Sequence, residues 1–205
     1  MDFKSFKAPY LPYEQIRTDA ENFLNQYVKT DDLPIEIDEI IDCDLEINII
    51  PVNSLRRGFE VEAFISNDFK SLYVDNEVYE KFEYRYRFSL AHEIGHYYLH
   101  RDIYQQFQFS NVDEWKQIIE NIPIKEYSWL EKQAYDFAGL VLVPDFALQK
   151  RFDDAVNKLK SQGYSPKDFN QDILLEFICR YLKDDFQVSD QVIRKRLAIN
   201  NISLI

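Results

Sequence analysis

Residues 87–100 are Arg-Phe-Ser-Leu-Ala-His-Glu-Ile-Gly-His-Tyr-Tyr-Leu-His, and their apolar and small side chains suit a buried helix. His92 and His96 are four positions apart. A helix therefore places both imidazoles on one face, about 6 Å apart along its axis. Two neutral imidazole nitrogens on one face can reach a single zinc ion. We predict a helix from Tyr84 to about Tyr104 that binds zinc through these two histidines.

Glu93 directly follows the first of these histidines, so its side chain leaves the helix slightly to one side of the metal. A carboxylate in that place can bind the water on zinc and remove its proton as the water attacks a carbonyl. His-Glu-x-x-His on a helix is the pattern of zinc peptidases. The alternative is a buried helix with two hydrogen-bonded or solvent-facing histidines. We predict that Glu93 is the general base.

A zinc site with three protein ligands needs one more donor, and Glu131 is the best candidate because it precedes a buried-looking apolar run. Two histidines followed by a glutamate on a later helix form a known catalytic zinc arrangement. The alternative is a capping box with Ser128 as N-cap. Asp136 is the second choice, as a ligand or as the acceptor that orients a ligand histidine. Glu126 and Asp113 are more remote alternatives.

His100 lies on the same helix face as the two histidines of the motif. A regular helix places it about 12 Å from His92 along the axis, so all three rings cannot bind one ion. Two interpretations stay open for it. It lies beside the site as a partner of a ligand or of the substrate, or it is a packed, hydrogen-bonded histidine.

The remainder of the chain predicts an α+β fold. Alternating apolar residues predict strands at 45–52, 59–65 and 71–75, the last two joined by a turn into a hairpin. Helical spacing predicts helices at 13–27, after Pro34, and at 113–121, 129–143, 145–159, 168–182 and 189–199. We expect a small, mostly antiparallel sheet, whose edge could pair with an extended peptide, beside an active-site helix. Residues 1–160 would form one domain, and residues 161–205 a small helical region packed on it or appended to it.

Composition restricts the partners and the compartment. The net charge of −12 over 205 residues argues against general nucleic-acid binding, although Arg194-Lys195-Arg196 resembles a fragment of a helix-turn-helix. No apolar run approaches the roughly 20 residues of a membrane span, and the N-terminus lacks a secretory pattern, so we expect a cytoplasmic protein. Cys43 and Cys179 are far apart and predict reduced, mostly buried thiols, with a metal or redox role as the alternative.

Residues 87–100 resemble the signature of the ImmA/IrrE family of metallopeptidases, which is roughly R-F-[ST]-[LI]-A-H-E-[LI]-G-H-x-x-[LF]-H. Residues 131–144 resemble a second family block, E-x-x-A-[ND]-x-F-A-x-x-[LF]-L-[MV]-P, and residues 186–197 resemble its helical C-terminus, F-x-V-S…R-L. The resemblance implies a gluzincin-like minimal zincin fold with one Zn²⁺. It also implies that His92, His96 and Glu131 hold this ion and that Glu93 is the base.

Members of that family typically come from bacteria, phages or mobile elements, and several act on a helix-turn-helix transcriptional repressor. The resemblance therefore implies a zinc endopeptidase that cleaves or inactivates such a repressor. The alternatives are a non-catalytic module, with zinc structural or absent, that binds a regulator or toxin, and a zinc hydrolase of small molecules. The sequence does not indicate an oligomeric state.

One position departs from the family pattern. Tyr135 stands four residues after Glu131, where the family has Asn or Asp. In gluzincins a residue there commonly accepts a hydrogen bond from a ligand histidine. A tyrosine can hydrogen-bond but is no carboxylate, and Asp136 points about 100° away around the helix. We expect reduced zinc affinity or activity.

Overall fold

The computed structural model describes residues 3–59, 61–109, 111–200 and 202. The three strands are β1 Asn48–Val52, β2 Ala63–Ile65 and β3 Ser71–Asp75. The described helices are α1 Tyr13–Tyr27, α2 Ile37–Glu39, α3 Leu55–Phe59, α4 Asn76–Lys81, α5 Glu83–Leu99, α6 Arg101–Tyr104, α7 Val112–Asn121, α8 Ile124–Leu142, α9 Asp145–Ser161, α10 Gln171–Phe186 and α11 Asp190–Ile199. Of the helices in these ranges, none is both long enough and apolar enough to cross a bilayer. The α+β class is confirmed.

The sheet is mixed, with the strand order β1-β3-β2. Strand β1 runs parallel to β3 from Asn48 opposite Ser71 to Val52 opposite Asp75, whereas the shorter β2 runs antiparallel to β3. The prediction of a mostly antiparallel sheet is therefore wrong. Helix α3 occupies the connection after β1, so the strand predicted at 59–65 begins only at Ala63. The connection through α3 and β2 is the crossover that a parallel pair requires.

Helices α5 and α8 pack closely in the centre of the molecule. A β-carbon added at Gly95 of α5 would lie 2.9 Å from both Cα and the carbonyl oxygen of Ala134 in α8. Helix α1 covers the other side of this pair, where the Phe23 ring contacts Tyr98 at 5.8 Å and Phe137 at 5.6 Å. A glycine thus allows the two helices to approach, and aromatic rings from α1 fill the space behind them.

Two helix boundaries differ from the predictions and bear on the site. Helix α5 ends at Leu99 because His100 leaves the helical conformation, with φ −123° and ψ 18°. Helix α8 begins at Ile124, directly after Pro123, rather than at Trp129. The Ser128 hydroxyl donates to the Ile124 carbonyl at 2.7 Å, so this serine lies inside the helix. The capping-box explanation of Glu131 is therefore wrong.

The C-terminal helices return to the central pair. Arg196 of α11 is buried, donates to the Val143 carbonyl at 3.2 Å and forms an ion pair with Asp145. Lys195 Nζ lies 2.8 Å from Asp136 Oδ1 in α8. These two basic side chains of the C-terminal run are therefore paired with carboxylates of the protein itself. The division of the chain at residue 160 stays a prediction.

Both cysteines are free thiols. Cys179 is buried in α10, as predicted, and burial raises its pKa to about 11. Cys43 is exposed, so the expectation of burial is wrong for this residue. It lies in a π-helical turn at Ile40–Asp44, where Ile40 and Ile41 face the core.

Candidate metal centre

Helices α5 and α8 bring three potential ligands together. His92 Nε2 lies 3.1 Å from Glu131 Oε2, and His96 Nε2 lies 3.3 Å from Glu131 Oε1. The two Nε2 atoms are 3.2 Å apart. One donor atom from each residue lies within 4.8 Å of the others, and among the described residues these three form the potential metal-binding group.

The local sequence explains this geometry. The spacing of four residues stacks the histidines on one face of α5, as predicted. Glu131 lies one turn before Ala134 in α8, and Ala134 contacts Gly95 of α5. The close helix contact at Gly95 therefore sets the distance between the glutamate and the two histidines.

The donor set fits a zinc ion. Two imidazole nitrogens and one carboxylate are zinc ligands that leave a fourth position for water or substrate. Burial acts to raise the pKa of Glu131, but His92 and His96, whose Nε2 atoms lie 3.1 Å and 3.3 Å from its carboxylate oxygens, hold that pKa well below the usual range, so the carboxylate is ionised. Burial also acts to lower the pKa of His92, but Glu131 overcomes it and raises that pKa. Glu131 therefore favours positive charge on His92, whereas burial lowers the pKa of His96 and keeps its ring neutral; a divalent cation between the three residues would supply positive charge to the carboxylate.

Glu93 is buried next to these ligands. Its Oε2 accepts a hydrogen bond from the backbone N–H of Ile65 at 2.9 Å, which joins the carboxylate to strand β2. Burial raises its pKa to about 8, with a further increase from Glu131 and opposing effects from His92 and the Ile65 N–H. A group with a pKa close to neutrality can both accept and return a proton, as a general base in peptide hydrolysis must.

A cavity of about 270 Å³ opens onto the three potential ligands and Glu93. Its further walls include Ala63, Phe88, Tyr104, Trp115 and Tyr127. Burial raises the pKa of Tyr104 and of Tyr127, so both hydroxyls stay protonated at neutral pH and can donate hydrogen bonds. The cavity thus combines a base, donors and potential metal ligands in one place.

Strand β2 forms one wall of this cavity and is an edge strand. The N–H of Ser66 donates to the Ser71 carbonyl, and the N–H of Asp75 donates to the Glu62 carbonyl, so the backbone groups of the two residues that flank β2 face β3. Ile65 has the opposite orientation and donates to Glu93. Ala63 is two residues before Ile65, so its backbone groups also point away from β3, towards the cavity. An extended peptide could pair there.

His100 lies behind the ligands, in contact with His96. Their Nδ1 atoms are 3.0 Å apart, and His100 Nε2 lies 2.8 Å from Gln133 Oε1. Burial and the proximity of His96 lower the pKa of His100 to about 3, so its ring is neutral. Both interpretations left open by the sequence describe this histidine, because it is packed and also lies within hydrogen-bond distance of the potential ligand His96. Gln133 was not predicted from the sequence. Its helical spacing from Leu130 and Phe137, which are both buried, could have indicated a buried amide on the same face of the helix.

Tyr135 and Asp136 are engaged elsewhere. The Tyr135 ring packs on Phe88 at 4.8 Å between centroids, and Lys195 Nζ lies 3.9 Å above it. Asp136 is buried and forms ion pairs with Lys132 and Lys195. These contacts direct both side chains towards the lysines.

The remote alternatives also lie away from the ligands. Glu126 accepts hydrogen bonds from Lys7 and from the backbone N–H of Ala8. Asp113 is exposed in the first turn of α7. The structure therefore groups Glu131, and neither of these two residues, with the histidines.

The model of one protein family matches the chain over residues 59–198, which is more than half of its length. That family is a peptidase family, described as the IrrE N-terminal-like domain. The matched segment contains α5 and α8 and therefore all three potential ligands. No curated protein and no solved structure matches the chain significantly.

Proposed function

Since the chain belongs to the peptidase family of the IrrE N-terminal-like domain, we propose that it is a zinc-dependent endopeptidase that cuts a protein partner at a selected site. The family indicates a zinc metallopeptidase type of function. The observation that supports the proposal is the cavity in which Glu93 lies beside His92, His96 and Glu131.

Each side chain has a role in this proposal. His92, His96 and Glu131 would hold the zinc ion, which supplies a water of lowered pKa and polarises the scissile carbonyl when bound. Glu93 takes the proton from the attacking water and returns it to the nitrogen of the leaving amine. The Ile65 N–H keeps the Glu93 carboxylate in place through its 2.9 Å hydrogen bond.

An extended peptide is the substrate form that the cavity favours. The backbone N–H and carbonyl of Ala63 are directed towards the site at the sheet edge, so they can pair with a substrate strand. Main-chain pairing recognises a peptide independently of its side chains, which argues for a protein substrate over a small molecule.

For the partner we propose a helix-turn-helix repressor in the same cytoplasm, encoded with this protein in a bacterial, phage or mobile-element genome. The resemblance of residues 87–100 and 131–144 to ImmA/IrrE metallopeptidases suggests this class. The net charge of −12 agrees with it, because a DNA-binding repressor has a basic surface that such a protein attracts.

The test is incubation of the zinc-loaded chain with the helix-turn-helix regulator encoded beside it, followed by mass spectrometry of the products. We expect one main cut that a chelator abolishes and zinc restores. The Glu93→Gln variant is the matched control, because it retains the three ligands. Cutting by this variant at the wild-type rate would refute the role of Glu93.

The same experiment distinguishes the endopeptidase from a second candidate function, that of a non-catalytic module that binds a regulator or toxin. The packing of Tyr135 against Phe88 and Lys195 favours it, because the position that commonly supports a ligand histidine in gluzincins is occupied otherwise. A stable, uncut complex formed by the zinc-loaded wild type would establish this candidate and refute the endopeptidase.

A further inference from the structure

We propose that His100 and Gln133 position the zinc ligand His96 through a chain of hydrogen bonds that ends on the N-terminal arm, residues 3–12. The proposal rests on the proposed function in one respect, namely that His96 is a zinc ligand. The chain runs from His96 Nδ1 to His100 Nδ1 at 3.0 Å, and from His100 Nε2 to Gln133 Oε1 at 2.8 Å. It ends where Gln133 Nε2 donates to the Pro9 carbonyl at 2.8 Å.

The donors and acceptors in this series of hydrogen bonds can be arranged in only one way, because the last group, the Pro9 carbonyl, can only accept. The Pro9 carbonyl requires the NH₂ group of Gln133, so the amide oxygen of Gln133 faces His100. That oxygen requires the proton of His100 on Nε2, which leaves Nδ1 of His100 as an acceptor. His96 must then carry its own proton on Nδ1.

This order leaves a lone pair on Nε2 of His96, the atom that faces Glu131 at 3.3 Å. Nε2 is therefore prepared to bind a metal. With the amide of Gln133 reversed, His100 would carry its proton on Nδ1, opposite the Nδ1 of His96. The proton of His96 would then move to Nε2, where it blocks metal binding. Hydrogen bonds to the far nitrogen of a ligand histidine set its tautomer and ring orientation in general.

Because the three side chains are buried, water does not compete for the hydrogen bonds between them. The exposed fraction is 1% for His96, 1% for His100 and 2% for Gln133. The internal hydrogen bonds therefore decide the orientation of each group, and a broken link would leave a buried polar atom without a partner.

The arm is held in place by independent contacts. The backbone N–H of Ala8 donates to Glu126 at 3.0 Å, and Lys7 Nζ lies 3.2 Å from the same carboxylate. Phe6 is buried, and its ring lies 5.9 Å from that of Phe107. The Pro9 carbonyl is therefore a fixed acceptor. It supports the metal site from outside the segment that matches the family model.

The first test measures the zinc dissociation constant of the full chain by competition with a chelator. Gln133→Leu removes both hydrogen bonds of the amide, and His100→Phe removes the acceptor of His96. We expect either change to raise the dissociation constant about 10- to 100-fold. Gln133→Glu keeps an acceptor for His100 but removes the donor to the Pro9 carbonyl, so its dissociation constant should lie between those of the wild type and Gln133→Leu. Gln149→Leu is the matched control, because Gln149 is exposed and bonded to Asp153 in α9, and it should leave the constant unchanged.

The second test detects the tautomers by NMR of the chain with ¹⁵N-labelled histidine. In the wild type we expect His100 to carry its proton on Nε2, with or without zinc, and a ¹⁵N–¹⁵N coupling between His96 and His100. Gln133→Leu should abolish this pattern while the unfolding midpoint shows that the protein stays folded. The proposal is overturned if His100 carries its proton on Nδ1 in the wild type, or if Gln133→Leu binds zinc as tightly as the wild type.

The proposed function fails in a different way. If the zinc-loaded wild type shows the expected tautomers but cuts no partner, this result contradicts the endopeptidase function. It still supports the positioning of His96 by His100 and Gln133.

Discussion

Gly95 of α5 faces Ala134 of α8 so closely that a β-carbon on the glycine would lie 2.9 Å from the Cα of the alanine. Real β-carbons do not approach backbone atoms to this distance, so a side chain at position 95 must separate the two helices. Because the histidines lie on α5 and Glu131 lies on α8, the stability of the fold and the geometry of the potential metal site depend on the same contact.

We predict that Gly95→Ala lowers the free energy of unfolding by about 1–3 kcal/mol, the usual cost of an overpacked core. The gain in helix propensity of about 1 kcal/mol offsets this only in part. Zinc affinity should fall as well, because the ligand helices move apart. Denaturant unfolding and chelator competition measure the two effects.

The control for this change is Gly58→Ala in α3, where an added β-carbon would meet no atom of another described element within 4 Å. This variant should be as stable as the wild type or slightly more stable, because it gains helix propensity without a clash. Equal stability of the two variants would show that the α5–α8 contact tolerates a methyl group.

Glu93→Gln should lower the rate of peptide cleavage by a factor of about 10²–10⁴, the contribution typical of a general base. The amide retains the shape of the side chain but cannot take a proton. The zinc content of the purified variant, measured by atomic absorption, should equal that of the wild type. Loss of zinc together with activity would instead assign Glu93 a role in holding the metal.

Glu131→Gln should weaken zinc binding by more than the roughly 10- to 100-fold that is typical for loss of a hydrogen-bonded neighbour of a ligand. The effect is large because the variant loses the ionised member of the donor set. In the wild type, zinc at about 100 times its dissociation constant should stabilise the fold by about 2.7 kcal/mol. A thermal shift on zinc addition should thus appear in the wild type and be absent in the variant; equal shifts would exclude Glu131 as a ligand.

The stability of the metal-free protein should depend on pH through Glu93. Its pKa is 4.5 in the unfolded chain and about 8 in the folded one, so the folded state binds more protons between these values. The contribution of Glu93 is thus present below about pH 4.5 and is lost as the pH rises to about 8. Relative to Glu93→Gln, the wild type should lose up to about 1.4 kcal/mol of unfolding free energy per pH unit. Urea titrations in chelator at several pH values measure this difference, and parallel profiles for the two proteins would contradict it.

The sequence predicted the parts of the site that depend on local geometry. His92 and His96 share one helix face because they are four residues apart, and no tertiary contact is needed for this. Glu131 lies near them only because α5 and α8 pack together. The prediction of Glu131 as a zinc ligand therefore depended on its position before an apolar run and on the second family block.

Other features have no local signal. Pro9 and Gln133 are 124 residues apart, and a backbone carbonyl can accept at any residue, so nothing in the sequence indicates this contact. The parallel pairing of β1 with β3 is likewise a matter of chain path. The alternation at 59–65 predicted a long strand, but Leu55–Phe59 forms a helix and leaves a short edge strand in its place.

The N-terminal arm has a consequence for how this protein can be truncated or joined to parts of a relative. The family match begins at residue 59. Two contacts with α8 come from residues before it: the Phe23 ring packs on Phe137, and the Pro9 carbonyl accepts a hydrogen bond from Gln133. A fragment trimmed to the matched segment would expose Phe137 and leave a buried amide without its partner. The segment that matches the family model is thus shorter than the segment that must fold as one unit. A chimera with a relative would retain its metal site only if residues 3–58 were transferred together with the two ligand helices.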